Sequence, residues 1–168
     1  MLNDILDAVV NVLKAEGINA FREFPEQRAD LKTGVSVSVG IESCKYLSSG
    51  MGEYLGTRAG SGGSADTELF GRRLELGLRF EIYSPFGTQI GASGCVECAD
   101  ALRGCIDKLP SGLRVIELKF GEVSADEKLS AYRCVCSSSA LAFMVGESDG
   151  GDVEFLDFVL KGTVDSGK

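Results

Sequence analysis

Two hydrophobic periodicities alternate along this chain, and together they predict its helices and strands. Residues Leu2 to Glu16 carry apolar side chains at helical spacing and stop at Gly17, which predicts an amphipathic first helix. A second apolar stripe from Ser93 to Lys108, closed by Pro110, predicts another helix on the same grounds.

Period-two alternation predicts the strands between and after these helices. The strongest are Val35–Ile41 and Arg72–Tyr83, each with one apolar and one polar face. Weaker signals predict a short extended piece at Ile18–Phe24, further strands at Arg114–Phe120, Leu129–Val145 (bulged near Ser137–Ser139) and Phe155–Leu160, and turns at Gly121–Lys128 and Gly146–Asp152. The strand and helix order is therefore α-β-β-α-β-β-β. It favours an α+β fold, a mostly antiparallel sheet with two helices packed on it.

One long segment breaks the regular pattern. From about residue 43 to 70 the alternation is lost, and Gly56–Asp66 has the composition of a flexible linker. Because it lies between two predicted strands, we interpret it as a long flexible loop within a single domain covering residues 1–168. Loops longer than about 12–15 residues are uncommon in compact domains and are usually functional or disordered.

Apolar and aromatic residues beside this glycine-rich segment suit a contact that orders when a partner protein binds. The candidate oligomer or partner interface residues are Tyr46, Met51, Tyr54, Leu55 and Arg58. The alternative is that these side chains pack on the chain's own core.

The composition is that of a one-domain globular protein, with 168 residues, 44% of them hydrophobic and 25% charged. A net charge of −8 disfavours specific nucleic-acid binding, because phosphates are repelled. No apolar run approaches the roughly 20 residues that span a bilayer. The first apolar residues alternate with polar ones, unlike a signal peptide. We therefore expect a cytoplasmic protein with no membrane partner.

The reactive residue types do not form a catalytic pattern. The chain has no histidine, which excludes Ser-His-Asp and Cys-His catalysis. The pairs Cys95-Val-Glu-Cys98 and Cys134-Val-Cys136 are candidates for a zinc site or a redox pair. They also fall on predicted apolar faces, where cysteine packs as a small hydrophobe, and we favour that interpretation. We predict no metal, no cofactor and no enzymatic activity. The alternatives are a small cytoplasmic binding module with a cysteine zinc or thiol site, and an enzyme that uses Asp or Glu alone.

The order of elements resembles the tail terminator (tail-end ring) proteins of long-tailed phages and related contractile phage-tail-like particles. The matching pieces are the opening helix Met1–Val10, the strands Val35–Ile41 and Leu74–Tyr83, the helix Cys95–Lys108 and the C-terminal strands. The resemblance spans about Met1 to Val164. It is carried by the pattern of elements and not by a motif, so no functional residue is transferred from that family. The six cysteines and the glycine-rich tip depart from its pattern.

The resemblance implies a structural assembly protein. Such a chain forms a homohexameric ring, caps the completed tail tube and docks the neck or head. Its partners would be further copies of itself and the tube and neck proteins. It would reside in the host cytoplasm during assembly and then in the virion or phage-tail-like particle, where an acidic channel wall would suit the passage of DNA.

Overall fold

The computed structural model describes residues 2–22, 24–26, 31, 34–48, 54–58, 67–109 and 112–147. Within these ranges, two helices pack on a six-stranded sheet. The elements in chain order are α1 (Leu2–Ala15), β1 (Ala20–Phe21), β2 (Ser36–Ser48), β3 (Tyr54–Arg58), β4 (Thr67–Pro85), α2 (Ser93–Cys105) with a short 3₁₀ helix (Ile106–Lys108), β5 (Leu113–Asp126) and β6 (Ala131–Glu147).

The sheet has the strand order β1-β2-β4-β6-β5, with β3 pairing on β4 beyond the end of β2. All pairs are antiparallel except β1 with β2. The predicted α+β class and mostly antiparallel sheet are therefore confirmed for the described residues. The short strand β3 is an addition to the predicted order, β1 occupies part of the predicted extended piece, and the predicted strand Phe155–Leu160 lies outside the described residues.

The core lies between one face of the sheet and the two helices. Every second residue of β4 from Leu74 to Ile82 points to this face and is at most 2% exposed. The α1 residues Val9 and Leu13 and the α2 residue Leu102 cover them. Burying a side chain of this size stabilises the fold by roughly 1.5–3 kcal/mol. The remaining residues of β4, among them Arg79 and Glu81, form the second face, which points away from the helices.

The segment predicted as a loop at about 43–70 contains more strand than its composition indicates. Strand β2 continues to Ser48, β3 takes up Tyr54–Arg58 and β4 begins at Thr67. Residues 49–53 and 59–66 lie outside the described residues. The strands persist because they pair with β4, and Leu69 within this stretch is only 2% exposed. Tertiary pairing thus overrides the weak local strand propensity of the segment.

Two predictions near the C-terminal strands are wrong. The turn predicted at Gly121–Lys128 is mostly strand, because β5 runs to Asp126, and the reversal occurs at residues 127–130, where Ser130 has a positive φ of 50°. The bulge predicted near Ser137–Ser139 is absent from β6, which pairs with β4 without interruption there. The irregularities lie in the opposing strand β5, between Val115 and Glu117 and between Phe120 and Val123.

Candidate interaction surfaces

One end of the sheet extends past its outer strands. The last described pair between β2 and β4 is Ser48 with Arg72, and the first pair between β5 and β6 is Leu113 with Ala142. Beyond these pairs, residues 54–58, 67–71 and 143–147 form a three-stranded extension, which we call the arm. An arm of this kind can reach a neighbouring molecule while the helices remain on their own core.

The arm and the adjoining part of β2 display aromatic side chains. Tyr54 is 44% exposed and makes an edge-to-face contact with Phe70, with ring centroids 5.6 Å apart. Tyr46 pairs across the sheet with Leu74 and is 47% exposed. Because Phe70 and Leu74 are separated by four residues on an unbroken strand, both tyrosines lie on the same face of the sheet, the one that carries the helices. Tyrosines that are half exposed in this way are characteristic of protein contact surfaces.

The remaining candidate interface residues have different environments. Leu55 packs against its own sheet, since a Cβ atom added at Gly71 would lie 2.8 Å from its Cδ1 and would overlap the carbonyl oxygen of Met144. Arg58 ends β3, where its backbone pairs with Thr67. Met51 lies outside the described residues. A role in a partner interface stays a prediction for the whole set.

The second face carries a buried charge network centred on Glu81, which is 2% exposed. Arg133 donates to it twice, from Nε to Oε2 at 2.9 Å and from Nη2 to Oε1 at 2.6 Å. The hydroxyl of Tyr83 donates to the same carboxylate, and Arg79 forms an ion pair with it. Burial raises the pKa of Glu81, but the hydrogen bonds from Arg133 and Tyr83 outweigh it, so the pKa lies below its ordinary value. A carboxylate held charged by three donors is a structural anchor and a poor proton acceptor near neutral pH.

The network lies in an open cleft of about 380 Å³ that also contains Phe24. The ring of Phe24 covers the Arg79 guanidinium at 5.7 Å from the ring centroid. It also lies directly over Gly40, where an added Cβ would approach the ring within 2.6 Å. Because Gly40 has no side chain, the ring of Phe24 can pack directly on β2 and stack on Arg79.

Of the paired cysteines, Cys95, Cys134 and Cys136 lie in the core, and Cys98 is partly buried against it. Burial raises the pKa of Cys95 to about 11 and that of Cys98 to about 12. The Sγ atoms of Cys134 and Cys136 are 3.9 Å apart, and burial also raises the pKa of Cys136. A protonated thiol is a poor nucleophile and a poor metal ligand. Over the described ranges, no group of three or more cysteine or carboxylate side chains is arranged to hold a metal ion. The burial of these thiols in and against the core fits the packing interpretation.

None of the helices in the described part of the chain is long and apolar enough to cross a membrane.

The comparison with solved structures found similar chains at low sequence identity. The chain is similar to the sheath/tube terminator of an extracellular contractile injection system, PVC, in its extended state, with a TM-score of 0.44 and 12% sequence identity. The match covers 100% of this chain, which spans 62% of the length of that protein. A chain of the virion of a native gene transfer agent particle is also similar, with a TM-score of 0.37, 14% identity, and 84% and 91% of the two chains covered. No protein-family model matches the chain. No curated protein matches it by sequence.

Sequence reasoning missed the Glu81 network. The alternation of β4 correctly placed Glu81 on the polar face, but a polar face predicts exposure and not burial. Glu81 is buried because Phe24 and its neighbours cross this face and because Arg133 of β6 reaches over it. A local pattern contains no signal for either contact, since both depend on residues distant in sequence.

Proposed function

We propose that this chain is a structural assembly protein that forms a ring as a tail terminator, caps the tail tube and docks the neck or head of a phage or phage-like particle. The observation that carries the proposal is the arm, on which Tyr54 is half exposed, together with Tyr46 of the adjoining β2, which is half exposed on the same face. The order of elements, which resembles that of tail terminators, points to the same role.

The arm suits assembly because its surface is preformed. Tyr54 is held by Phe70, so little side-chain entropy is lost when it binds a partner. The arm is also anchored by long pairings in its own domain, since β4 pairs with β6 from Leu69 to Pro85. A rigid extension with exposed aromatic anchors is expected to bind a neighbouring subunit or the tube without unfolding the core.

The buried ionisable groups of the domain are engaged in its own fold. The most buried carboxylate, Glu81, is fully engaged with its own chain, and the core thiols have raised pKa values. These groups stabilise the fold and offer no reactive centre. The net charge of −8 keeps such a protein soluble before assembly.

The function is tested by polymerising the tail tube protein of the same particle with and without this chain and viewing the product by electron microscopy. A terminator is expected to shorten the tubes and to label one tube end only. The double variant Tyr46→Ser/Tyr54→Ser should reduce this capping, whereas Val96→Ser, at a residue of α2 that is 55% exposed, serves as the matched control. Tubes of unchanged length, with the chain absent from both ends, would contradict the proposal.

A further inference from the structure

The sheet has a long outer edge on each side. Strand β5 pairs with β6 along one side, and no strand of the described residues pairs with its other side. On the opposite margin, β1 pairs with β2 only at Val37 and Ser38. From Val39 to Leu47, no other strand of the described residues pairs with the outer side of β2. Edges of this length present backbone donors and acceptors that readily pair with another strand.

The two edge strands run in opposite directions, and their residues can be placed level with one another across the sheet. Each step from β2 to β4, β6 and β5 is antiparallel, so β5 runs opposite to β2. Ser43 pairs with Gly77, which pairs with Ser139, which pairs with Glu117. The same steps place Gly40 level with Lys119. Strand β5 of one copy can therefore continue the antiparallel ladder along β2 of a second copy.

The charges on the two edges are complementary in this arrangement. Along β5, Glu117 precedes Lys119, and along β2, Glu42 precedes Lys45. Lys45 is two positions beyond Ser43 on the same side of the irregularity in β2, so a stagger of two residues brings Lys45 opposite Glu117 and Ser43 opposite Lys119. All four side chains are exposed. Opposite charges on facing strands stabilise one register and disfavour others.

Exposed apolar side chains on the β5 edge also favour pairing with a second copy. Ile116 is 62% exposed and Phe120 is 42% exposed, and both lie beside irregularities of β5. Charges and bulges commonly protect an unpaired strand edge, whereas this edge also exposes two large apolar side chains, which favour burial against a neighbour. An antiparallel pairing along the regular parts of the two strands would also supply backbone hydrogen bonds to the interface.

We propose that neighbouring copies of this chain associate edge to edge, with β5 of one copy paired antiparallel to β2 of the next. Because the two edges are different surfaces, the contact is head-to-tail and each copy uses both edges when a ring closes. The proposal rests on the ring of the proposed function and adds the surfaces that join its subunits. The arm then stays available for the tube or the neck.

The test is a charge reversal with rescue, using the full chain. The variant Glu117→Lys/Lys119→Glu keeps the net charge and its own neighbouring ion pair, whose atoms are 3.1 Å apart, but reverses the charge order of the β5 edge. It should raise the protein concentration needed for half-assembly by about tenfold. Adding Lys45→Glu on β2, which again places opposite charges at the Lys45–Glu117 position, should restore assembly. The control Glu97→Arg/Arg103→Glu exchanges exposed charges on α2 and should leave assembly unchanged.

Light scattering after size exclusion measures assembly, and circular dichroism confirms that each variant is folded. Assembly of the β5 variant at the wild-type concentration would overturn the edge pairing and leave the proposed ring intact. So would a folded triple variant that is not rescued. A wild-type protein that stays monomeric alone and with tube protein would overturn both proposals together.

Discussion

Arg133 on β6 forms a two-pronged hydrogen bond with Glu81 on β4, with donor–acceptor distances of 2.9 and 2.6 Å. The fork joins two central strands on the face that the helices leave uncovered. Planar guanidinium–carboxylate pairs of this geometry are among the strongest charge-assisted hydrogen bonds in proteins. On this face, the hydrogen bonds and ion pairs of Glu81 therefore contribute to stability, as apolar packing does on the face that carries the helices.

Replacing Arg133 by alanine should lower the free energy of unfolding by about 2–3 kcal/mol. Breaking a fully buried pair costs about 3–5 kcal/mol, and the arginine side chain is 31% exposed, which screens part of the interaction. Urea unfolding followed by circular dichroism measures the change. Lys119→Ala is the matched control, because Lys119 also pairs with a carboxylate but is 68% exposed, so its loss should cost less than about 1 kcal/mol. Equal effects of the two substitutions would contradict this account of Glu81.

The same network predicts a specific dependence of stability on pH. The pKa of Glu81 is lower in the folded protein than in the unfolded chain, so its charged form stabilises the fold. This stabilisation is complete above about pH 4.3, the ordinary value for glutamate, and is lost as the pH falls through the lower folded value. The difference in unfolding free energy between the wild type and Glu81→Gln should therefore shrink between pH 6 and about pH 3. A difference that stays constant over this range would show that Glu81 titrates normally.

The position of Phe24 over Gly40 predicts coupling between the two residues. Gly40→Ala should displace the ring, because the new Cβ would approach it within 2.6 Å, and should lose its stacking on Arg79. Such stacking is worth about 0.5–1 kcal/mol at partly exposed sites. In a double-mutant cycle measured by urea unfolding, Gly40→Ala should cost less in a Phe24→Ala background than in the wild type. Additive costs would place Phe24 elsewhere in solution.

The buried thiols should react slowly in the native protein. With a pKa of about 11, Cys95 has far less thiolate at pH 8 than an ordinary cysteine with a pKa near 8.5, by roughly two orders of magnitude. In a Cys44→Ser/Cys98→Ser variant, which removes the two partly exposed thiols, labelling by a disulfide reagent should be at least about a hundredfold slower before unfolding than after it. Fast labelling of the native protein, or stoichiometric zinc in wild-type protein purified without chelator, would support the alternative of a binding module with a cysteine zinc or thiol site.

The parts of the fold that sequence patterns predicted are those with a strong local period. The helices α1 and α2 and the centres of β2 and β4 each carry an apolar face of the right spacing, so local chemistry and tertiary packing agree. Strand β3 was missed because Gly56 interrupts its pattern and its register shifts between Tyr54 and Gly56. The end of β5 was missed because Gly121 and Glu122, which resemble a turn, occupy an irregularity in the pairing.

The candidate surfaces were predictable only in part. The tyrosines beside the glycine-rich segment were identified because exposed aromatic residues in a polar context are visible in the sequence. The complementary edges were not, since their match depends on the registers of three strand pairs. Gly121 illustrates the difference, because an added Cβ there would lie 2.6 Å from the carbonyl oxygen of Val135, a contact that no local pattern specifies.

The most direct test of the assembly role is the molar mass of the protein in solution, measured by light scattering after size exclusion over a range of concentrations, alone and with tail tube protein. The account predicts a closed ring with the mass of a hexamer, or a monomer that becomes this ring when tube protein is added. A monomer at every concentration, unchanged by tube protein, would contradict it.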